Sequence, residues 1–188
     1  MKKIIFVFFI IMVVFITIYR CFNLEEKILR YFYPIRYEEY VYKYSEEYNV
    51  DPMLTLAIIK SESNFEEKCV SRSGAIGLMQ LMEKTAKEQA QKINIEYNAQ
   101  TLYNPEENIK IGLSYFSYLY KYFNENYILA AIAYNAGIGN TEKWIKEEII
   151  TDKGRGIEKI PFKETNMYVR KIIGNYTIYK ELYSKEPS

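Results

Sequence analysis

The sequence predicts a mainly α protein, one compact helical domain preceded by an N-terminal transmembrane helix. Three observations predict it. Lys2 and Lys3 precede an apolar run over residues 4–19 that only Thr17 interrupts. Twice in the remainder a short polar residue stands directly before a proline, at Asp51-Pro52 and Asn104-Pro105, the pattern of a helix N-cap followed by the first helical position. Between these marks apolar residues recur at helical spacing, and chain breakers are confined to short stretches.

The N-terminal run is longer than the roughly 7–15 residues of a signal-peptide core and lacks a small-residue cleavage site. At about 1.5 Å per residue it spans about 24 Å. Tyr19, Arg20 and Phe22 can complete the crossing of a hydrocarbon core about 30 Å thick. Lys2 and Lys3 stay in the cytoplasm, which puts the rest of the chain on the extracytoplasmic side of the membrane. The alternatives are secretion after cleavage and a lipoprotein signal ending at Cys21. Tyr19 and Arg20 are bulky and charged where a lipoprotein signal wants small residues.

Residues 37–48 have helical spacing and many charges. Asp51 and Pro52 start a helix that runs to about Ser63. Residues 64–77 are irregular, with Ser71, Ser73, Gly74 and Gly77 as breakers. A helix over residues 82–92 follows. Asn104-Pro105-Glu106-Glu107 opens another, with acids on the first turn, that continues to about Tyr122. Residues 127–136 form a short, very apolar helix stopped by Gly137 and Gly139. Residues 141–149 form the next, before a charged loop with Gly154 and Gly156. A last helix covers residues 164–183. No internal repeat or low-complexity linker appears.

Composition narrows the chemistry. With 188 residues, 49% hydrophobic and 26% charged, the chain is long enough for one domain with a proper core. The net charge of +1 gives no basic field for nucleic acid. Histidine is absent, which removes Ser-His-Asp and Cys-His nucleophile systems and His-ligated zinc. Cys21 and Cys69 are too few for a disulfide framework. Acid/base work must rest on carboxylates, Lys or Tyr. The 20 tyrosines rise together with Ile, Lys, Asn and Glu, so they read as general composition rather than as sugar platforms.

Glu62 is the unusual position. Leu54, Ile58 and Glu62 are four residues apart and fall nearly in line on one helix face. The apolar stripe therefore ends in a carboxyl group. Burial and the negative end of the helix would both raise its pKa, toward what a general acid needs. A solvated glutamate at a fraying helix end fits the same spacing, and exposed glutamates are the rule. A second catalytic carboxylate is hard to find. Asp51 lies about 16 Å away along a continuous helix, beyond the ~5–10 Å of paired glycosidase acids. Asp152 sits in a glycine-flanked loop, and Glu66 and Glu67 read as surface charges.

Further motifs surround this residue. Glu62-Ser63-Asn64-Phe65 is followed by Ser71-Arg72-Ser73-Gly74-Ala75-Ile76-Gly77-Leu78-Met79-Gln80-Leu81-Met82. Asn104-Pro105 comes with Asn108, Ile109 and Gly112, then AAIAYNAGIG over residues 130–139. Ile160-Pro161-Phe162-Lys163-Glu164-Thr165 with Tyr168-Val169 closes the series. In this order and spacing the four blocks resemble the signature of the soluble lytic murein transglycosylases, over about residues 33–183. The resemblance implies an α+β lysozyme-like fold, with a small extended segment over residues 74–80 at the cleft. With the N-terminal apolar run, it divides the chain into a membrane segment, 1–22, and a catalytic domain, 33–186.

The resemblance also implies roles. Glu62 matches the single catalytic acid/base. Ser71, Gly77, Gln80 and Met82 match positions lining the sugar cleft, and Tyr134 and Asn135 match those facing the carboxyl and the substrate acetamido group. Glu164 matches a cleft carboxylate that binds sugar or braces the site. Gln80 and Asn135 can exchange hydrogen bonds with hydroxyl and acetamido groups, and glycines let backbone approach a bulky glycan. One departure stands out: Glu83 occupies the place where the family usually has proline, and both suit the first turn of a helix.

The implied reaction cleaves the β-1,4 bond between N-acetylmuramic acid and N-acetylglucosamine and leaves 1,6-anhydromuramoyl ends. The implied partner is the peptidoglycan glycan strand, with the membrane as anchor and no metal or cofactor. Two other functions fit the same blocks: a hydrolase (muramidase) of the same fold, and a non-catalytic glycan-binding module.

Overall fold

The structure, a computed structural model, describes residues 2–21 and 24–184, with side chains in the first helix given for residues 4–13. It is mainly α, as the sequence predicts. In chain order the α-helices are α1 (Lys2–Cys21), α2 (Leu24–Phe32), α3 (Glu38–Tyr48), α4 (Pro52–Glu62), α5 (Glu83–Lys92), α6 (Pro105–Tyr122), α7 (Tyr127–Ala136), α8 (Ile138–Lys146) and α9 (Lys163–Tyr183).

α4 is the centre of the domain. Its start is fixed as the sequence predicts: Asp51 caps it by accepting from the Met53 amide at 2.8 Å, with Pro52 at the first helical position. Every residue from Met53 to Ile59 is buried, so Leu54 and Ile58 are one line of a helix that is enclosed all round rather than a lone apolar stripe. A helix apolar on all sides belongs inside a core. Here α9 packs along it most extensively and α3 covers another side. α6 packs on α3, and α7 lies between α6 and α9. Fully buried Phe116 of α6, Val169 and Ile172 of α9, and the Ala130–Ala133 run of α7 fill the space between.

The polar caps decide where the other helices begin. Asn104 accepts from the Glu107 amide at 3.1 Å, and Asn126 accepts from the Ile128 and Leu129 amides at 3.0 and 3.2 Å. α5 begins at Glu83, so glutamate does take the first-turn place that proline usually holds. α7 ends at Gly137, whose φ of 86° suits glycine. α8 starts at once with Ile138, three residues before the expected Thr141, and carries Gly139 inside it. The sharp junction is held by side chains: Asn140 donates to the Ala136 carbonyl at 2.7 Å and Thr141 to that of Gly137 at 3.0 Å. α8 stops at Lys146 rather than Ile149, because Glu148 turns left-handed at φ 56°.

Two expectations are corrected or left open. The extended segment forms no strand among the described residues; Ile76 makes one antiparallel bridge to Val70 and one to Leu81. The chain turns back too soon for a ladder, through left-handed Gln80 at φ 48°. Asn108 then holds the turn, accepting from the Met79 amide at 2.8 Å and donating to the Ile76 and Leu102 carbonyls at 3.1 and 2.9 Å. As for the expected transmembrane helix, no helix among the described residues is long and apolar enough to cross a membrane. The side chains described in α1 cover Ile4 to Val13, all apolar and exposed, about 15 Å of helix; the rest of the expected crossing lies outside the described side chains. α2, which the sequence reading passed over, has no buried residue and is tied to α9 through Arg30, which donates to the Leu182 carbonyl at 2.8 Å.

Asn108 is fully buried and serves three backbone groups. Its replacement by alanine strands them, which we expect to cost about 2–3 kcal/mol. Urea unfolding of the Asn108→Ala variant at neutral pH measures this; an unchanged midpoint would show that water replaces the amide at no cost.

Candidate active site

Glu62 is the last residue of α4, and burial dominates its chemistry. Loss of solvent pushes its carboxyl up from 4.5 to about 7, and the nearby Glu164 charge adds to the rise; the Tyr168 hydroxyl and the Lys171 ammonium pull the other way. Tyr168 is itself buried on α9. Its hydroxyl is close enough to favour the Glu62 anion, yet it completes no hydrogen bond among the described residues. From α7, Tyr134 brings a second, partly buried ring. Burial, then the neighbouring Glu62 charge, raise both phenols well above their ordinary range, so they stay neutral donors.

The residues flanking Glu62 are both buried and both tied down. Ser61 is held from α9, and Ser63 donates to the Leu78 carbonyl at 2.8 Å. The Tyr134 hydroxyl donates to the carbonyl of the next residue, Met79, at 2.8 Å. The loop over residues 69–81 is thereby fastened to α4, α6 and α7 at once.

The predicted cleft residues fall into three groups. Glu62, Tyr134 and Glu164 lie near one another: the Glu164 charge acts on Glu62, and the Glu62 charge on Tyr134. Asn135 is exposed next to Tyr134, and its carbonyl oxygen accepts from the Thr165 hydroxyl at 2.7 Å, which links it to the turn carrying Glu164. Ser71, Gly77, Gln80 and Met82 belong to the loop. There Ser71 closes a turn by accepting from the Ala75 amide at 2.9 Å, and Gln80 donates to the Gly77 and Cys69 carbonyls at 2.9 and 3.1 Å. Met82 is exposed at the cap of α5. Gly77 is required by packing: at φ +81° an added Cβ would meet the Asn108 amide nitrogen at 2.1 Å and the Leu102 carbonyl at 2.3 Å.

On the α9 side of the carboxyl an open pocket of about 630 Å³ is lined by Ser61, Lys163, Glu164, Met167, Tyr168 and Lys171. Sequence reasoning missed Tyr168 and Lys171 as members of the site. The spacing of Glu164, Tyr168 and Lys171 at four and three residues was the available signal, since it puts them on one face of a helix. The distant carboxylate Asp51 is fully occupied at the far end of α4, where it accepts from Tyr176 at 2.9 Å and Lys180 at 3.0 Å besides capping the helix.

With this geometry in view, comparison with known proteins is informative. The family described as "Transglycosylase SLT domain" matches residues 39–155, more than half of the chain. The chain belongs to that family. It is 33% identical over 167 residues to the soluble lytic murein transglycosylase of Salmonella typhimurium, covering 87% of this chain and 25% of the relative. A membrane-bound lytic murein transglycosylase C of Edwardsiella ictaluri is 32% identical over 136 residues, 66% of this chain and 36% of the relative. The structure of an inactive glutamate-to-glutamine mutant of the lytic transglycosylase Slt from Pseudomonas aeruginosa superposes with a TM-score of 0.76 at 33% identity, over 82% of this chain and 25% of that one. The chain thus spans about a quarter of the length of the soluble relatives it matches.

The raised pKa has a consequence for stability. The folded protein holds a proton on Glu62 that the unfolded chain releases at its ordinary value, so folding stability falls as pH rises from about 4.5 to about 7. Glu62→Gln removes this loss. We expect the variant to be more stable than the parent at pH 8, by about 3 kcal/mol, and the two to converge below pH 4.5. Denaturant unfolding across this range checks the sign; a variant less stable than the parent at pH 8 contradicts it.

Proposed function

We propose that the chain cleaves peptidoglycan glycan strands by the lytic transglycosylase reaction, with Glu62 as its one acid/base. The carrying observation is the buried carboxyl at the end of α4, protonated up to about pH 7, in a chain of this family. The Pseudomonas relative, inactive as a glutamate-to-glutamine mutant, supports the same reading.

In this reaction Glu62 gives its proton to the oxygen leaving with N-acetylglucosamine. The acetamido group of the muramic acid meets the positive charge that develops at the anomeric carbon. The resulting Glu62 carboxylate takes the proton of the muramoyl 6-hydroxyl as that oxygen attacks, and the 1,6-anhydro ring closes. The substrate supplies the group that a second carboxylate provides in other glycosidases. The intramolecular attack also has a large proximity advantage over water. Tyr134 and Asn135 hold the sugar beside the carboxyl, with Gln80, Ser71, Gly77 and Met82 along the loop side of the cleft and Glu164 bracing it from α9. Asn135, exposed and tied to Thr165, is well placed to read the acetamido group.

One observation keeps the hydrolase in view: the charge of Glu164 reaches Glu62, so a second carboxylate stands near the first. Product analysis of fragments released from purified peptidoglycan decides. We expect muropeptides with anhydro ends, and Glu62→Gln should remove nearly all of them, a loss of at least about 100-fold. Reducing-end muramic acid carrying oxygen from labelled water would instead establish the hydrolase, with Glu62 still the acid. A folded Glu62→Gln variant with most of its activity would remove Glu62 from the mechanism.

We further propose that residues 4–19 anchor the protein in the membrane with the catalytic domain, 33–186, on the extracytoplasmic side. Support comes from Lys2-Lys3 before the apolar run, from the exposed apolar side chains of Ile4 to Val13, and from the membrane-bound relative. The full-length chain should stay in the membrane fraction and lose its C-terminal domain to protease added outside the cell. Recovery of a soluble, N-terminally trimmed form would point to a cleaved signal.

A further inference from the structure

Glu62 is delivered to the site through the residue before it, and α9 grips that residue twice. Ser61 is buried. The Lys171 ammonium donates to its backbone carbonyl at 2.7 Å, and the Asn175 amide donates to its hydroxyl at 2.9 Å. Lys171 and Asn175 are four residues apart on α9, so both donors leave the same helix face. Neither contact belongs to the sugar-binding residues described above.

We propose that Lys171, assisted by Asn175, is a positioning residue for the reaction: it fixes the last turn of α4 and stations a positive charge at the helix end that carries Glu62. This rests on the reading of Glu62 as the acid/base.

Two features of helix ends give the contact its force. The last four carbonyls of a helix have no partner within it, and the Ser61 carbonyl is one of these. The same end carries partial negative charge, which opposes a carboxylate. An ammonium on that carbonyl satisfies the acceptor and offsets the negative end together. The groups acting on Glu62 are Tyr168, Lys171 and Glu164 of α9, with neutral Tyr134 from α7. Of these, Lys171 is the cation. Lys60, on α4 itself, feels the Lys171 charge, so the two cations repel each other and the Ser61 carbonyl is what holds Lys171 in place. Asn175 adds no charge, but fixing the serine hydroxyl prevents the turn from fraying.

The chemistry needs this charge at one stage. Once Glu62 has given up its proton, it must persist as a carboxylate in a poorly solvated position until the 6-hydroxyl attacks. Lys171 favours that anion, whereas burial and Glu164 oppose it. Removing the ammonium should leave an acid that parts with its proton less readily and a weaker hold on the intermediate state.

The test follows the carboxyl itself and so does not depend on activity. The full chain, labelled with 13C at glutamate carboxyls and held in detergent micelles, is titrated by NMR, with the Glu62 resonance assigned by its absence in Glu62→Gln. In Lys171→Met and Lys171→Gln the Glu62 midpoint should move to higher pH. Lys171→Gln keeps an amide able to donate to the Ser61 carbonyl, so it separates charge from grip. Lys171→Arg should restore the parent midpoint. In parallel, the alkaline limb of the pH profile for muropeptide release should move upward in the first two variants and stay in place in the third. A midpoint unchanged in folded Lys171→Gln and Lys171→Met overturns the proposal, as does a uniform fall in rate with the limb unmoved. A shifted midpoint in a chain that releases no muropeptides would leave the role of Lys171 standing and sink the transglycosylase reading instead.

Discussion

The structure depends on one constraint: α4 is enclosed on all sides, and the helix ends in a carboxyl group. Beyond the seven consecutive buried residues, Met53 to Ile59, Ser61 and Ser63 are buried on either side of Glu62, which is itself only partly exposed. The proton affinity of Glu62 is therefore set by packing before any neighbouring charge acts. The rest of the molecule can be understood by what it does for this helix. Asp51 fixes where it starts, α3 and α9 cover its flanks, and α9, Tyr134 of α7 and the loop over residues 69–81 meet at its end.

Because α9 covers both the helix and its terminus, a single element supplies packing and electrostatics. Val169, Ile172 and Tyr179 are fully buried in the core. Glu164, Tyr168 and Lys171 face the carboxyl and act on it in opposite senses. The far end of α9 is tied down as well, with Lys180 on Asp51 and the Tyr179 hydroxyl donating to the Pro34 carbonyl at 3.1 Å. A long helix secured at several points cannot shift locally, so the charges it presents to Glu62 are held in fixed register. The loop over residues 69–81 is held in another way, by isolated polar staples: Ser63 to Leu78, Tyr134 to Met79, and Asn108 to three backbone groups. Ser61 and Ser63, on either side of Glu62, are gripped from opposite partners, α9 and this loop.

Much of this was legible in the sequence, and the reason differs from residue to residue. The starts of α4 and α6 were readable because a capping side chain and a proline act locally, whatever the tertiary context. The start of α8 was not, because Gly139 reads as a breaker while Asn140 and Thr141, which hold the tight junction, bond back to carbonyls at the end of α7. The irregular stretch before Gln80 was placed correctly, but its collapse to single bridges depends on Asn108, 29 residues beyond the Met79 amide it captures. Glu62 could be singled out as a carboxyl at the end of an apolar line. That the line was part of a fully enclosed helix depends on α3 and α9 folding around it. The motif blocks grouped Glu62, Tyr134, Asn135 and Glu164; of these, Glu164 acts on Glu62 and Glu62 on Tyr134, while Asn135 is tied to Thr165. The spacing of Lys171 from Glu164 and Tyr168 put it on their helix face, but nothing local distinguishes a lysine bound to a backbone carbonyl, as Lys171 is to Ser61, from a solvated one.

In the proposed reaction one carboxyl serves two steps, and the balance at Glu62 suits it to both. A general acid with an ordinary pKa would be empty at neutral pH, and one raised far above neutrality would part with its proton reluctantly and take it back too readily. Burial raises the proton affinity of Glu62, and Glu164 raises it further. Tyr168 and Lys171 pull back, and the result lies at about 7. There the protonated and ionised forms are of nearly equal free energy at neutral pH, so neither giving up the proton nor regaining it carries a large penalty. In the proposed reaction the opposed groups level the two states between which the Glu62 carboxyl moves. That levelling is compatible with a core-buried helix because the countercharge comes from α9, which is already present for packing.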